Sequence, residues 1–230
     1  MSEVNLDWVD DRQRQRLDEM LILVDEDNKV IGSDTKRNCH LNENIEKGST
    51  SLSSLFPKIS SLFPPNRLVE RMRENFPRPF LGYFTDSCSS HPLYEPAELE
   101  EKDAVGVRRA ARRRLLAELG IPPEQISVED VVFMTIYHHK AKSDRVWGEH
   151  EICYLLLVRK DVCVAPDPSE TKSFQYLAQD QLRELLARGA RGEVRVTPWL
   201  RTIAERFLYN WWPHLDDVAR LVDRHTIHRV

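Results

Sequence analysis

Trp147-Gly148-Glu149-His150-Glu151 opens the most apolar run of the chain, Ile152-Cys153-Tyr154-Leu155-Leu156-Leu157-Val158. An apolar run of this length, bounded by polar residues, reads as a buried strand. Side chains two apart on a strand share a face. Glu149 and Glu151 therefore point one way and His150 the other. Two carboxylates side by side at the mouth of an apolar strand repel each other. A bound cation, or a raised pKa on one of them, relieves the repulsion. The competing reading is a solvated strand end with both charges in water. The rest of the chain has to decide.

Working backwards, Val131 to His139 reads as a second strand, with Val131, Phe133, Thr135, Tyr137 and His139 on one face. Lys140 to Arg145 connects it to the opening stretch, so the two runs form a hairpin. Before it, Asp103 to Leu119 has the stripe of a helix: Val107, Ala111, Leu115 and Leu119 recur at four-residue spacing. Gly120 ends that helix in the position glycine prefers. Glu118 lies in its last turn, where a carboxylate is unfavourable unless Arg114 or a cation offsets it.

Nearer the N-terminus, Asp7 to Met20 has helical spacing. Met20 to Val24 and Lys29 to Gly32 read as a hairpin around the turn Asp25-Glu26-Asp27-Asn28. Thr35 to His40 reads as a polar loop that gathers Lys36, Arg37 and His40, a basic cluster suited to an anionic ligand. Residues 48 to 80 are rich in serine and proline. Proline at this density predicts a loop rather than a central strand, with two helical turns at Arg67 to Asn75. Pro92 restricts His91 to an extended conformation. Downstream, Pro166-Asp167-Pro168 breaks the chain, Ser173 to Leu177 is a short strand, and Gln179 to Arg188 is an amphipathic helix. Leu200 to Trp212 is helical, and its aromatic residues read as core. Trp199 follows a proline at a helix start, where a side chain can line a pocket.

At 230 residues, the chain is long enough to bury a substantial core. Hydrophobic residues at 41% and charged ones at 30% describe a soluble globular protein. A net charge of -4 gives no bulk attraction to nucleic acid or to an anionic membrane, so any anion site must be local. No apolar run spans a bilayer, and the acidic N-terminus lacks a signal-peptide pattern. Cys39, Cys88, Cys153 and Cys163 form no CxxC pair, which predicts a reduced, intracellular protein.

The run Lys36-Arg37-Asn38-Cys39-His40-Leu41-Asn42-Glu43-Asn44-Ile45-Glu46-Lys47-Gly48, the triplet Ser90-His91-Pro92 and the stretch Trp147 to Glu151 together resemble the type I isopentenyl-diphosphate isomerase family. The resemblance covers residues 1 to 48 and 81 to 230 and is strongest to the second isozyme of vertebrates. Arg113 to Gly120 is a weakened Nudix box and adds little alone. The resemblance implies an α+β fold: one Nudix-like domain over 1–230, with a mixed sheet flanked by helices, further C-terminal helices, and an atypical segment at 49–80. It implies the interconversion of isopentenyl and dimethylallyl diphosphate, a step that supplies isoprenoid and sterol precursors.

That reaction moves a proton across an allylic system through a tertiary carbocation-like species. It needs an acid and a base on opposite faces, a dry cavity, an aromatic face for the positive centre, and cations for the diphosphate. The resemblance assigns His40, His91, Glu149 and Glu151 to a protein-held metal, with Glu151 also the acid/base of one face. Glu118 would hold Mg2+ against the diphosphate, so two Mg2+ ions are expected. Lys36 would contact the diphosphate, Ser90 would lie beside the substrate, and Trp199 would cover the cation. A monomer acting on a small prenyl diphosphate is expected, with no nucleic-acid partner and no membrane insertion.

Three positions depart from the family pattern. Ser89 stands where most members place the acid/base cysteine of the second face. Its hydroxyl is a far weaker proton donor and acceptor than a thiol, which predicts slow turnover unless the neighbouring Cys88 substitutes. His139 stands where a tyrosine is expected and can donate a hydrogen bond or a proton. Ser51 stands where a third metal histidine is expected, and residues 49–80 read as lacking two core strands and the two basic diphosphate contacts. The alternatives are an impaired relative that only binds a diphosphate, and a Nudix-type hydrolase. The ending His228-Arg229-Val230 resembles a peroxisomal address, against a cytosolic alternative.

Overall fold

The computed structural model describes residues 11–46, 56–62, 68–73, 82–168 and 171–230. The opening run forms β8 (Gly148–Val158), paired antiparallel with β7 (Val131–Lys142). These strands are the centre of a five-stranded mixed sheet ordered β10-β7-β8-β3-β6. Its other members are β3 (Phe56–Leu62), β6 (Cys88–Ser90) and β10 (Ile227–Arg229). β3 runs parallel to β8, and β10 runs parallel to β7.

Alternation along β8 builds two cores. Ile152, Leu156 and Val158 pack on one face with Val107, Ala111, Leu115 and Leu119 of α4 (Val105–Leu119) and with Ile22 and Val24 of β1 (Met20–Val24), the strand that pairs with β2 (Val30–Thr35). Cys153, Leu155 and Leu157 face the opposite core. That core is filled by α5 (Gln179–Ala190), α6 (Pro198–Ile203) and the aromatic C-terminal region. α6 is capped by Thr197, whose Oγ1 accepts from Leu200 N. Beyond it come a π-helical turn at Ala204–Leu208, then α7 (Tyr209–Trp211), then a 3-10 stretch. Gly120 closes α4 at φ +63°, with the Ala165 carbonyl where a Cβ would stand.

Four expectations are corrected. Residues 56–62 and 68–73 are strands, not loop or helix. β4 (Leu68–Arg73) lies between β5 (Phe84–Thr85) and β9 (Thr171–Leu177) in a three-stranded sheet. Proline density averaged over 48–80 hid two proline-free stretches, residues 58–63 and 66–76. Pro57 precedes the pairing with β6, which begins at Ile59, so it borders an unpaired edge. Ser51 and the rest of that segment lie outside the described residues.

Second, Thr35 to His40 is not a loop. Lys36–Cys39 is a helical turn, α2, with Thr35 Oγ1 accepting from Asn38 N as its cap. Third, the register of β7 shifts between Phe133 and Thr135. This bulge sends Val131 and Phe133 to the α4 core, while Tyr137 joins the opposite core. The face predicted to be continuous from Val131 to His139 is therefore split. Fourth, the helix expected at Asp7 to Met20 spans Asp11–Leu17 (α1) among the described residues, because Met20 already begins β1.

Candidate active site

Three elements bring His40, His91 and Glu151 together. One ligand atom from each lies within 4.8 Å of the others, and all three residues are buried. His40 follows α2 directly. Its Nδ1 sits 2.7 Å from the carbonyl oxygen of Lys36. A carbonyl only accepts, so Nδ1 carries the proton and Nε2 keeps its lone pair, the tautomer a metal requires. The His40 backbone is fastened to the start of β8: Gly148 N donates to His40 O at 2.9 Å, and Asn42 N to Val146 O at 2.8 Å. Gly148 is required here, since a Cβ would lie 2.5 Å from Asn42 Oδ1 and 2.9 Å from Ala141 O. α3 (Asn42–Glu46) continues from this contact.

His91 enters just after β6. Its carbonyl accepts from Arg113 Nη2 at 3.2 Å. Arg113 is in turn held by the Glu98 carboxylate at 2.6 and 2.9 Å, and that carboxylate also accepts from Leu93 N. α4 thus fixes the His-Pro segment through a two-pronged ion pair. His91 Nε2 stands 3.8 Å from Glu151 Oε1, and the two histidine rings meet edge to face at 5.0 Å. Glu149 is buried two residues earlier on β8, opposite Ala141, and is not part of this three-residue group.

The β7–β8 register supplies the neighbouring wall. His139 lies opposite Glu151, and Tyr137 opposite Cys153. Cys153 Sγ is 3.6 Å from Glu151 Oε2. Burial, then the Cys153 side chain, raises the Tyr137 pKa well above its ordinary value. Tyr137 thus stays a neutral hydroxyl. Trp199, fully buried, meets the His139 ring edge to face at 5.9 Å. Its Nε1 donates to Asp86 Oδ1 at 2.8 Å and Thr85 Oγ1 at 2.9 Å. His150, on the opposite face, pairs with His138 at 2.9 Å between Nε2 atoms.

The remaining candidates are placed as follows. Cys88 is a core residue against α4, so its thiol is turned from the Glu151 face. Ser89, one residue on, pairs with Ser60, which pairs with Leu155. Ser89 is thus on the Glu151 side of the sheet. Its backbone is four register positions from that of Glu151 along β8. Ser90 is buried at the end of β6. Lys36 is buried, with Nζ 4.0 Å from Glu19 Oε2. Glu118 is held by Arg114, which donates from Nη2 at 2.7 Å and Nε at 3.1 Å to the same oxygen. Burial opposes the Arg114 charge, but Glu118 outweighs it, and the guanidinium pKa is raised. Asp86, Thr85, Cys153 and the Arg113–Glu98 pair were not singled out as site residues from the sequence. Only the alternation of Cys153 with Glu151 on one strand face offered a signal.

A NUDIX domain model matches residues 85–200. The chain is 73% identical over 231 residues to human isopentenyl-diphosphate delta-isomerase 2, covering all of both chains. It is 49% identical to isopentenyl-diphosphate Delta-isomerase 1 of Bos taurus, again over the full length of both. It is also 39% identical to the chloroplastic isomerase 1 of Cannabis sativa, over 95% of this chain and 77% of that one. Among solved structures, a Deinococcus radiodurans protein superposes with a TM-score of 0.53 at 16% identity, covering 82% of this chain and 98% of its own. A NUDIX hydrolase from Alicyclobacillus acidocaldarius gives the same TM-score at 9% identity, covering 76% and 97%. These two likenesses speak to the fold alone.

Proposed function

Since the chain belongs to the isopentenyl-diphosphate delta-isomerase family, built on the NUDIX fold, we propose that it interconverts isopentenyl and dimethylallyl diphosphate as follows. A proton is added to the terminal methylene carbon of the alkene, and a proton leaves the carbon next to the diphosphate-bearing one on the other side of the tertiary centre. Glu151 serves one face as the proton carrier. Its setting suits that role, being fully buried with Cys153 at 3.6 Å and His139 across the strand. Burial of the group away from solvent keeps water from the cation. Trp199, packed on His139 across from Glu151, supplies its π face to the positive charge. Ser89 serves the opposite face, and its weak acidity argues for slow turnover.

The donor set of His40, His91 and Glu151 fits a divalent ion, because the His40 tautomer is fixed by Lys36 O. These three would hold it, with Glu149 next in line on the same strand face. Such an ion, when bound, supplies charge that fixes the carboxylate and lowers the cost of burying it. Two imidazoles suit zinc or manganese, whereas a Mg2+ ion with its oxygen preference suits the substrate diphosphate near Glu118. Lys36 and Ser90 line the diphosphate side. The protein acts as a monomer in isoprenoid and sterol precursor supply, and His228-Arg229-Val230 addresses it to the peroxisome.

The observation that carries this reading is the convergence of His40, His91 and Glu151 at the base of β8. Purified protein incubated with Mg2+ and isopentenyl diphosphate is expected to yield the acid-labile allylic isomer. Inorganic phosphate release would instead indicate a hydrolase, and recovery of unchanged diphosphate an impaired binder.

A further inference from the structure

Asp86 is a fully buried carboxylate hydrogen-bonded to the Trp199 indole. Its Oδ1 accepts from Trp199 Nε1 at 2.8 Å and from Thr85 Oγ1 at 2.8 Å. Thr85 Oγ1 lies a further 2.9 Å from Trp199 Nε1 and 3.3 Å from Thr197 Oγ1. β5, the segment before β6 and the cap of α6 therefore meet at one polar knot inside an apolar core. Phe84 N and O also bind Arg195 O and Thr197 N in the backbone. Burying a carboxylate is costly, and anchoring one indole needs only a threonine hydroxyl. Thr85 already supplies that hydroxyl. The charge therefore calls for a use of its own.

An N–H donated to a carboxylate shifts electron density into the ring that carries it. A richer indole has a stronger negative face and attracts a cation more firmly. We propose that Asp86 is a positioning residue for the isomerisation, holding Trp199 in place and polarising its ring toward the carbocation. This rests on the proposed function, in which the cation forms against Trp199. Asp86 touches neither substrate nor reacting atoms; it acts through the indole. Its effect is therefore confined to species that carry positive charge in the prenyl portion.

The test compares two ligands of one shape. Dimethylaminoethyl diphosphate carries a protonated nitrogen where the cation forms, and isopentyl diphosphate has a neutral carbon there. Wild-type protein is expected to prefer the ammonium compound. Asp86→Asn keeps an acceptor oxygen for the indole but removes the charge. It is expected to cut that preference and kcat each by about tenfold, about 1.4 kcal/mol, with isopentyl diphosphate affinity unchanged. In a Trp199→Phe background, which removes the N–H, Asp86→Asn is expected to add little. Equal losses for both ligands, or a full effect without the indole N–H, would overturn the proposal. Should Asp86→Asn not fold, the indole 15N–1H resonance of Trp199, assigned with Trp199→Phe, gives a second reading. It is expected downfield of the other four tryptophans, and an ordinary position would overturn the proposal. Absence of both allylic product and ammonium preference in wild type would instead remove the isomerase reading on which the inference stands.

Discussion

At the scale of single residues, the proposed site sets a strong group against a weak one. Glu151 is enclosed, close to two imidazoles and a thiol, while Ser89 offers a hydroxyl that is neither acidic nor basic near neutrality. Ser89→Cys is expected to raise kcat at least tenfold, about 1.4 kcal/mol off the barrier, in the allylic-product assay. An unchanged rate in a folded variant would remove Ser89 from the second face. Glu151→Gln is expected to reduce turnover by roughly 10²–10⁴-fold and to lower bound divalent metal, measured by elemental analysis after gel filtration. If metal content holds while activity falls, Glu151 is a proton carrier only. His40 and Glu151 were legible because each sits in a distinctive local run of sequence. Asp86 was not, because its meaning depends on Trp199 arriving from 113 residues away.

At the scale of elements, the site depends on how tightly α2 is joined to β8. Gly148 is the contact point, and a methyl there would strike Asn42 Oδ1 and Ala141 O. Gly148→Ala is expected to destabilise the fold by about 1–3 kcal/mol and to weaken metal binding, both read by melting with and without added metal. Equal melting shifts in the two conditions would show that the joint serves stability alone. On the other sheet face, Tyr154 is half-buried and its hydroxyl accepts from Asn28 Nδ2 at 2.6 Å. Burial raises its pKa above 10, with the Asn28 bond a smaller opposing influence. The unfolded chain therefore loses this proton first as pH rises. The stability it contributes is complete below pH 10 and is lost as pH climbs through the folded value. Stability is expected to fall above about pH 10, less steeply in Tyr154→Phe, as followed by denaturant titration. An identical slope in the variant would shift the cause to other tyrosines. The β7–β8 hairpin and α4 were readable from periodicity because each buries one regular stripe. β3 and β4 were not, because strand identity there comes from neighbours in the sheet rather than from their own composition. The bulge at Phe133–Thr135 leaves no residue signature at all, since an extra residue in a strand alters only its register.

Across the whole molecule, the proposed peroxisomal address and the last strand would compete for the same residues. Ile227–Arg229 is strand β10, paired with β7 at Ile136, Tyr137 and His138. His228 packs against Phe207 at 5.3 Å and faces Asp223 at 3.6 Å, while Arg229 Nη2 reaches Glu26 O at 3.5 Å. An import receptor that reads His228-Arg229-Val230 needs those residues out of the sheet. β10 is a short edge strand, half-buried at most, so it belongs to the low-stability end of the fold. Peroxisomal targeting by this tripeptide therefore requires β10 to open while β7 and β8 stay intact. Amide hydrogen exchange is expected to be fast at Ile227–Arg229 and slow at Ile136–His138 beyond the shared bonds. Phe207→Ala, which removes the ring beneath His228, is expected to increase the peroxisomal fraction of a fluorescently tagged chain with a free C-terminus. Blocking the end with added residues is expected to leave the protein in the cytosol with its activity unchanged. Equal protection of β10 and β7, together with cytosolic location of the unblocked chain, would mean that these residues close a sheet edge and carry no address.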